Sequence, residues 1–206
     1  MHGKVGVLTK RSILSSESSF PQVCTLMVFS EQKVMIPVFP ISTWIIFFHI
    51  SIFQRMSHLK EGDLAPAFSV TNEKGQIVNL SDYKGKKLVL YFYPKDDTPG
   101  CTAESCSLRD GYPRFQAQGY EILGVSPDSV KKHVKFQDKY NLPFSLLADE
   151  DHAVAEAYGV WGEKKFMGRA YMGIMRTTFV IDEAGKITRI ISKVDTENHT
   201  EQLLEG

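Results

Sequence analysis

The chain has 206 residues, of which 43% are hydrophobic and 23% are charged, a composition that excludes a wholly disordered protein. Its 24 basic side chains equal its 24 acidic ones, so the average charge offers no basic footprint for nucleic acid. Three cysteines are too few for a small disulfide-stapled domain, and six scattered histidines form no zinc-ligand pattern. We expect no metal or other cofactor, no nucleic-acid partner and a cytoplasmic location.

Residues 1–55 differ from the rest of the chain, because they carry five basic and two acidic side chains, whereas residues 56–206 carry 19 and 22. Residues 34–54 are uncharged and long enough to span a bilayer, which takes about 20 residues. Two prolines interrupt a helix there, and no small-residue cleavage site follows. We interpret residues 1–55 as a non-catalytic extension: dispensable sequence before a true start at Met56, a membrane anchor, or a targeting segment.

The pattern of apolar and turn-forming residues over 56–206 predicts a domain that contains both helices and strands. Two apolar stretches, 68–71 and 76–80, flank a Gly-containing connection and predict a hairpin. The apolar run 87–93 is typical of a strand buried on both faces. The remaining predicted elements are, in chain order, a helix over 103–118, a strand over 121–126, a helix over 130–140, a strand over 145–148, a short helix over 153–158, strands over 177–182 and 187–192, and a helix near 197–204. Strands that alternate with helices and end in a hairpin predict an α/β sandwich with a mixed sheet.

Cys101 stands between the buried strand 87–93 and the helix that follows it, at the edge of the sheet where open α/β proteins place their sites. Unpaired backbone N–H groups and the positive end of a helix dipole favour the thiolate, which is the nucleophilic form of cysteine. Pro94 stiffens the loop, and Thr98 supplies a hydroxyl that can bond to a reacting oxygen. These residues alone leave two interpretations open: a reactive thiol, or a buried structural cysteine in a Pro/Gly turn.

Pro94, Thr98 and Cys101 follow the order Pro, three residues, Thr, two residues, Cys, which resembles the active-site signature of the peroxiredoxins. The string Phe-Tyr-Pro-Lys-Asp-Asp-Thr-Pro-Gly-Cys-Thr at 92–102 is similar to the bacterioferritin comigratory protein, or peroxiredoxin Q, branch of that family. Further similarity lies at 142–144, 158–164 and 176–182. The resemblance implies a thioredoxin-like three-layer sandwich with a central mixed β-sheet flanked by helices. It also implies an antioxidant enzyme that reduces hydrogen peroxide and organic hydroperoxides.

The resemblance also implies a role for each matching residue. Cys101 would be the peroxidatic cysteine, whose thiolate attacks a peroxide oxygen and becomes a sulfenic acid. Thr98 would hold the attacked oxygen, and Pro94 would shield the thiolate from water. Arg176 would stabilise the thiolate and the leaving oxygen, because a guanidinium stays protonated and offers a fixed fork of donors. Arg169 is the next candidate for that role, and a solvated charge at a strand end is the other interpretation of Arg176.

Cys106 matches the position of the resolving cysteine in many members of this branch. The resemblance therefore implies a Cys101–Cys106 disulfide that thioredoxin or a similar thiol reductant reduces. On an intact helix five residues rise about 7.5 Å, whereas the Cα atoms of a disulfide lie about 4.4–6.8 Å apart. Such a bond would require the first turns of the helix to unwind. The alternative is that Cys106 is a buried bystander and that an external thiol resolves the sulfenic acid.

Other classes of protein fit these residues less well. A thioredoxin-type disulfide oxidoreductase would need Cys-x-x-Cys, whereas four residues separate Cys101 from Cys106. A non-catalytic interaction module of the same fold has no need of Thr98, Cys101 and Arg176 together. A haem or metal peroxidase lacks an apparent ligand set. We expect a monomer or weak dimer that contacts a membrane only if residues 34–54 act as an anchor.

Overall fold

The structure, a computed structural model, describes residues 59–166 and 168–205. The predicted extension, its possible anchor and the domain boundary near Met56 lie outside these residues. No helix in the described ranges combines the length and the apolar character needed to cross a membrane. The elements, in chain order, are β1 (Ser69–Thr71), β2 (Ile77–Asn79), a 3₁₀ turn (Leu80–Tyr83), β3 (Lys87–Phe92), α1 (Pro99–Ala117), β4 (Tyr120–Ser126), α2 (Val130–Tyr140), β5 (Ser145–Ala148), α3 (Ala153–Ala157), β6 (Trp161–Phe166), β7 (Arg169–Ile174), β8 (Thr177–Ile181), β9 (Ile187–Ile191) and α4 (His199–Leu204).

A central sheet of five strands has the order β5-β4-β3-β8-β9. β3 and β5 each pair parallel with β4, whereas β8 pairs antiparallel with both β3 and β9. The sheet is therefore mixed, as the alternation of strands and helices followed by a late hairpin predicts. β1 and β2 form the predicted opening hairpin as a separate antiparallel pair.

Helices cover both faces of this sheet. Alternate residues of β3 point to opposite faces and pack into two different cores. Leu88, Leu90 and Phe92 belong to a core that also contains Val154 from α3. Val89, Tyr91 and Tyr93 belong to a second core, to which the other three helices contribute. Those contributions are Leu108 and Phe115 from α1, Phe136 from α2 and Leu203 from α4. Two apolar cores on either side of one sheet confirm the predicted three-layer sandwich.

Two features differ from the elements predicted by sequence pattern. α1 begins at Pro99 and not at residue 103, because proline at the first position of a helix loses no hydrogen bond there and has a suitable φ. β6 and β7 form an antiparallel hairpin that was not predicted. Most of β7 is exposed, so the alternation of apolar and polar residues that identifies a half-buried strand is weak.

α4 packs closely against the middle of α1. A Cβ atom at Gly111 would lie 2.2 Å from the methyl group of Thr200, so only glycine permits this approach. The Thr200 hydroxyl donates to the Ser107 carbonyl at 2.5 Å, and the Ser107 hydroxyl accepts from the Thr200 backbone N–H at 3.2 Å. α1 is thereby fastened to α4 directly after Cys106.

Candidate active site

Cys101 lies in the first turn of α1, just beyond the end of β3, and its residue is 1% exposed. Because the helix follows the N-cap residue Thr98, Cys101 occupies its third position. Backbone N–H groups in the first turn of a helix have no acceptor within the helix. These donors and the helix dipole favour a negative charge on the sulfur. The structure therefore places the predicted nucleophile where the backbone itself attracts an anion.

Arg176 directly precedes β8, and its Nη2 lies 3.2 Å from the sulfur of Cys101. The pairing of Phe92 with Thr177 brings the start of β8 beside the end of β3, which explains why Arg176 reaches α1. Burial opposes the charge of this guanidinium, but Glu104 and Cys101 outweigh burial and raise the pKa of Arg176. Arg169, the alternative, is exposed on β7.

The other predicted site residues lie around the start of α1. The Thr98 hydroxyl donates to the Lys95 carbonyl at 3.1 Å, so its oxygen keeps lone pairs that can accept from another donor, such as a hydroperoxide O–H. Pro94 is half-buried at the end of β3. Cys106 is half-buried on α1, and its thiol, like that of Cys101, is free. α1 is continuous through both cysteines, so a bond between them requires that helix to open.

Glu104 belongs to the site but was not among the residues predicted from the sequence. It is fully buried, and its Oε2 accepts a hydrogen bond from Nη1 of Arg176. Its Oε1 is one of two buried side-chain polar atoms, within the described ranges, that have no hydrogen-bond partner. Burial raises the pKa of Glu104 to about 7, although Arg176 lowers it. Its position three residues after Cys101, on the same helix face, is the signal that could have identified it.

His199, from α4, lies behind this carboxyl group. Its Nε2 is 2.9 Å from the Thr178 hydroxyl and 3.9 Å from Oε1 of Glu104, and its Nδ1 is 3.0 Å from Oε1 of Gln202. Burial lowers the pKa of His199 to about 4, so the ring is neutral at pH 7. No motif connects His199 with Cys101, because α1 and α4 are far apart in the sequence.

Glu104 and His199 should affect the pH dependence of stability in opposite directions. Between pH 4.5 and about 7 the folded state holds a proton on Glu104 that the unfolded state has lost, so stability falls as pH rises. Between about 4 and 6.5 the unfolded state holds a proton on His199 that the folded state lacks, so stability rises with pH. The two contributions oppose one another where these ranges overlap.

Urea denaturation between pH 5 and 6.5 checks this expectation. Relative to the wild-type protein, Glu104→Gln should become more stable as pH rises and His199→Gln less stable. In each case the difference in unfolding free energy from the wild-type protein should change by at most about 1.4 kcal/mol per pH unit, the value for one proton. Parallel profiles for all three proteins would contradict the assigned protonation states.

The site contains the groups that thiol chemistry needs. Within residues 59–166 and 168–205, no three His, Cys, Asp or Glu side chains form a group that could hold a metal ion. The site combines a buried thiol at a helix N-terminus, a guanidinium in contact with the sulfur, and the Thr98 hydroxyl three residues before that thiol. Such an arrangement favours a thiolate and can also stabilise charge that develops on a second, leaving atom.

Known proteins share this fold and much of this sequence. Residues 62–190 match the AhpC/TSA family. The chain is 47% identical over 149 residues to peroxiredoxin Bcp of Escherichia coli K12, which covers 72% of this chain and 96% of that protein. A solved structure of a Xylella fastidiosa PrxQ cysteine-to-serine mutant matches with a TM-score of 0.68 and 35% identity, over 72% of this chain and 95% of that one. A structure reported for the alkyl peroxide reduction activity of Xanthomonas campestris bacterioferritin comigratory protein matches with a TM-score of 0.64 and 37% identity, over 67% and 88%.

Proposed function

Because this chain belongs to the AhpC/TSA family and is a peroxiredoxin of the Bcp and PrxQ branch, we propose that Cys101 is the thiol through which it reduces peroxides. Thiol-dependent peroxide reduction, with an antioxidant role, is the activity of this enzyme class. The observation that carries the residue assignment is the 3.2 Å contact between Nη2 of Arg176 and the Cys101 sulfur at the start of α1.

In the first step, the Cys101 thiolate attacks the terminal oxygen of a hydroperoxide. An S–O bond forms, the O–O bond breaks, and its electron pair moves to the leaving oxygen, which takes a proton and departs as water or an alcohol. Arg176 stabilises the thiolate before the attack and the leaving oxygen during it. Thr98, whose hydroxyl hydrogen goes to the Lys95 carbonyl, accepts a hydrogen bond from the peroxide. The half-buried Pro94 limits the access of water to the sulfur.

In the second step, the Cys106 thiolate attacks the sulfur of the Cys101 sulfenic acid. A disulfide forms, and the hydroxyl group leaves with a proton as water. Since both cysteines lie on the continuous helix α1, its first turns unwind before this step. Thioredoxin or a similar dithiol then reduces the exposed disulfide and returns both thiols to their starting state.

We extend this proposal to the substrates of the enzyme and to its location in the cell. The relative from Xanthomonas campestris is described by its alkyl peroxide reduction activity, which supports organic hydroperoxides, in addition to hydrogen peroxide, as substrates of this chain. A chain with only three cysteines suits a reducing compartment, so we place the enzyme in the cytoplasm. We further propose that it is a monomer or weak dimer. Residues 1–55 remain assigned to a non-catalytic extension of a domain that begins at Met56.

Mass spectrometry after one equivalent of hydrogen peroxide tests the residue assignments. Intact protein should lose two hydrogens, and peptide mapping after alkylation should show Cys101 linked to Cys106. Cys101 sulfenic acid with Cys106 still free would keep the peroxidase but remove the resolving role. An unmodified Cys101 would overturn the assignment of the nucleophile.

Cys106→Ser should separate oxidation from recycling. The first oxidation of Cys101 should proceed within about twofold of the wild-type rate, because Cys106 does not contact the sulfur of Cys101 in the folded helix. Steady-state turnover with thioredoxin should fall to a small fraction, since no intramolecular disulfide forms. Single-turnover quenching and a coupled NADPH assay measure the two quantities. Equal thioredoxin-dependent turnover in both proteins would exclude Cys106 as the resolving cysteine.

A further inference from the structure

His133, on α2, is fully buried, and both of its ring nitrogens face oxygen atoms. Nδ1 lies 2.8 Å from Oδ2 of Asp96, and Nε2 lies 3.1 Å from the carbonyl oxygen of Leu147 in β5. A carbonyl oxygen only accepts hydrogen bonds, so Nε2 must carry a hydrogen. Nδ1 forms the other hydrogen bond of the ring, with the Asp96 carboxyl group. His133 therefore forms a two-ended bond between β5 and the loop that contains Asp96.

Asp96 is held from several directions at once. Its Oδ1 accepts from the Tyr93 hydroxyl at 2.7 Å, and its backbone N–H donates to Oδ2 of Asp128 at 2.7 Å. Asp128, which precedes α2, also accepts from Lys132 at 2.7 Å. Tyr91, which stacks on Tyr93 and bonds to the Ser105 hydroxyl, is the further titratable group near Asp96. Each of these groups has a hydrogen-bond partner.

The next residue of the loop, Asp97, is also tied to α2. Its backbone has a φ of 55°, a left-handed conformation that is unfavourable for most residues. Its carboxylate accepts from Lys139 at 2.7 Å and from the Tyr140 hydroxyl at 2.7 Å. A strained backbone persists only where its surroundings hold it. Contacts with α2 therefore help to fix the conformation of residues 95–98.

This loop leads into Thr98 and the first turn of α1, where we propose that the peroxide binds. Thr98 occupies the N-cap position of α1, and its carbonyl accepts from the Thr102 backbone N–H at 2.8 Å. We therefore expect a shift of Asp96 to move the start of α1. Cys101 is only three residues from Thr98. Misplacement of reacting groups by about 1 Å can reduce a rate about 100-fold.

We propose that His133 is a positioning residue for peroxide reduction, and that through Asp96 it holds Thr98 and the first turn of α1 in register with the Cys101 sulfur. This inference rests on the proposed role of Cys101. In this proposal His133 contacts neither the thiol nor the substrate. It fixes the position of residues 95–98.

Kinetics of three variants test the proposal. His133→Gln leaves Asp96 without its paired ring and should lower kcat/KM for hydrogen peroxide at least about tenfold. Asp96→Asn can keep every bond, because its amide donates to a neutral Nδ1 and its oxygen still accepts from Tyr93, so its rate should stay within about threefold. Asp96→Ala should reproduce the loss seen in His133→Gln, and it carries the test if His133→Gln does not fold.

Glu73→Ala is the matched control for a purely structural effect. Glu73 is a buried carboxylate that accepts from Gln137 on α2 at 3.3 Å and from the Leu146 backbone N–H at 2.9 Å. Neither of these partners belongs to residues 95–98. It should lose stability but keep its rate at temperatures where it is folded. An equal loss of rate in Glu73→Ala and His133→Gln, at matched loss of melting temperature, would overturn the proposal.

A measurement on the wild-type protein supplies a test that needs no variant. One-bond ¹H–¹⁵N NMR correlations should show a hydrogen on Nε2 of His133, the nitrogen that faces the Leu147 carbonyl. An unprotonated Nε2, or a wild-type rate in folded His133→Gln, would overturn the positioning role. Neither result would affect the assignment of Cys101, because peroxide would still oxidise that thiol.

Discussion

Replacing Cys101 by serine should reduce peroxide turnover to the uncatalysed level. A serine hydroxyl at this position does not ionise near neutral pH, so the helix N-terminus and Arg176 would have no anionic nucleophile to stabilise. The fold should be retained, because sulfur and oxygen differ little in size and α1 is held along its length by the core residues Leu108 and Phe115. A coupled assay with thioredoxin, thioredoxin reductase and NADPH measures the loss.

Cys24→Ser is the control for the loss of a cysteine as such. Cys24 lies outside the described residues and in the extension to which we assign no catalytic role. Its replacement should leave turnover unchanged. Steady-state activity in Cys101→Ser, or loss of activity in Cys24→Ser, would place the chemistry at a different thiol.

Arg176→Gln should slow the first oxidation of Cys101 by about 100-fold to 1,000-fold, the usual cost of removing a donor that stabilises transition-state charge. The thiolate would lose its contact with a cation, so alkylation of Cys101 by iodoacetamide at pH 7 should slow as well. Arg176→Lys should recover only part of the rate, because an ammonium lacks the fork that reaches both Cys101 and Glu104. Single-turnover quenching with peptide mass spectrometry measures both rates.

Two controls separate this chemistry from damage to the fold. Arg169→Gln removes an exposed guanidinium on β7 and should keep the wild-type rate within about twofold. The double variant Arg176→Gln/Glu104→Gln removes the buried carboxyl group that the single variant leaves without its partner. It should regain stability without regaining rate. Full activity in Arg176→Gln, or rescue of the rate in the double variant, would contradict direct stabilisation by Arg176.

Local signals in the sequence are strongest where a helix or strand has clear ends. α2 and β5 have the predicted bounds. Ser129 occupies the N-cap position of α2, and Asn141, with a φ of 50°, ends that helix in the left-handed conformation. The apolar run at 87–93 likewise became the central strand β3, because a strand covered on both faces needs no polar side.

Contacts between distant parts of the chain left no such signal. His199 reaches Glu104, and His133 reaches Asp96, only because the sheet and helices bring them together. Their buried imidazoles look like any scattered histidine in the sequence. The exposed hairpin of β6 and β7 escaped prediction for another reason, since it covers no core that would impose a pattern on it. Conversely, the loop around Cys101 carries a local signal that marks it as a candidate thiol, and the resemblance to the peroxiredoxins then predicts its role as the nucleophile.

The fastening of α4 to α1 at Ser107, Gly111 and Thr200 also bears on how the enzyme is made. Ser107 and Thr200 are 93 positions apart in the sequence. A nascent chain therefore carries Cys101 and Cys106 for several seconds before the ribosome adds Thr200. During that interval the outer side of α1 has no α4 to cover it. Truncation before His199 would make this state permanent. A fusion that prevents α4 from docking would have the same effect, because the chain would keep every proposed catalytic residue while the site stayed incompletely assembled.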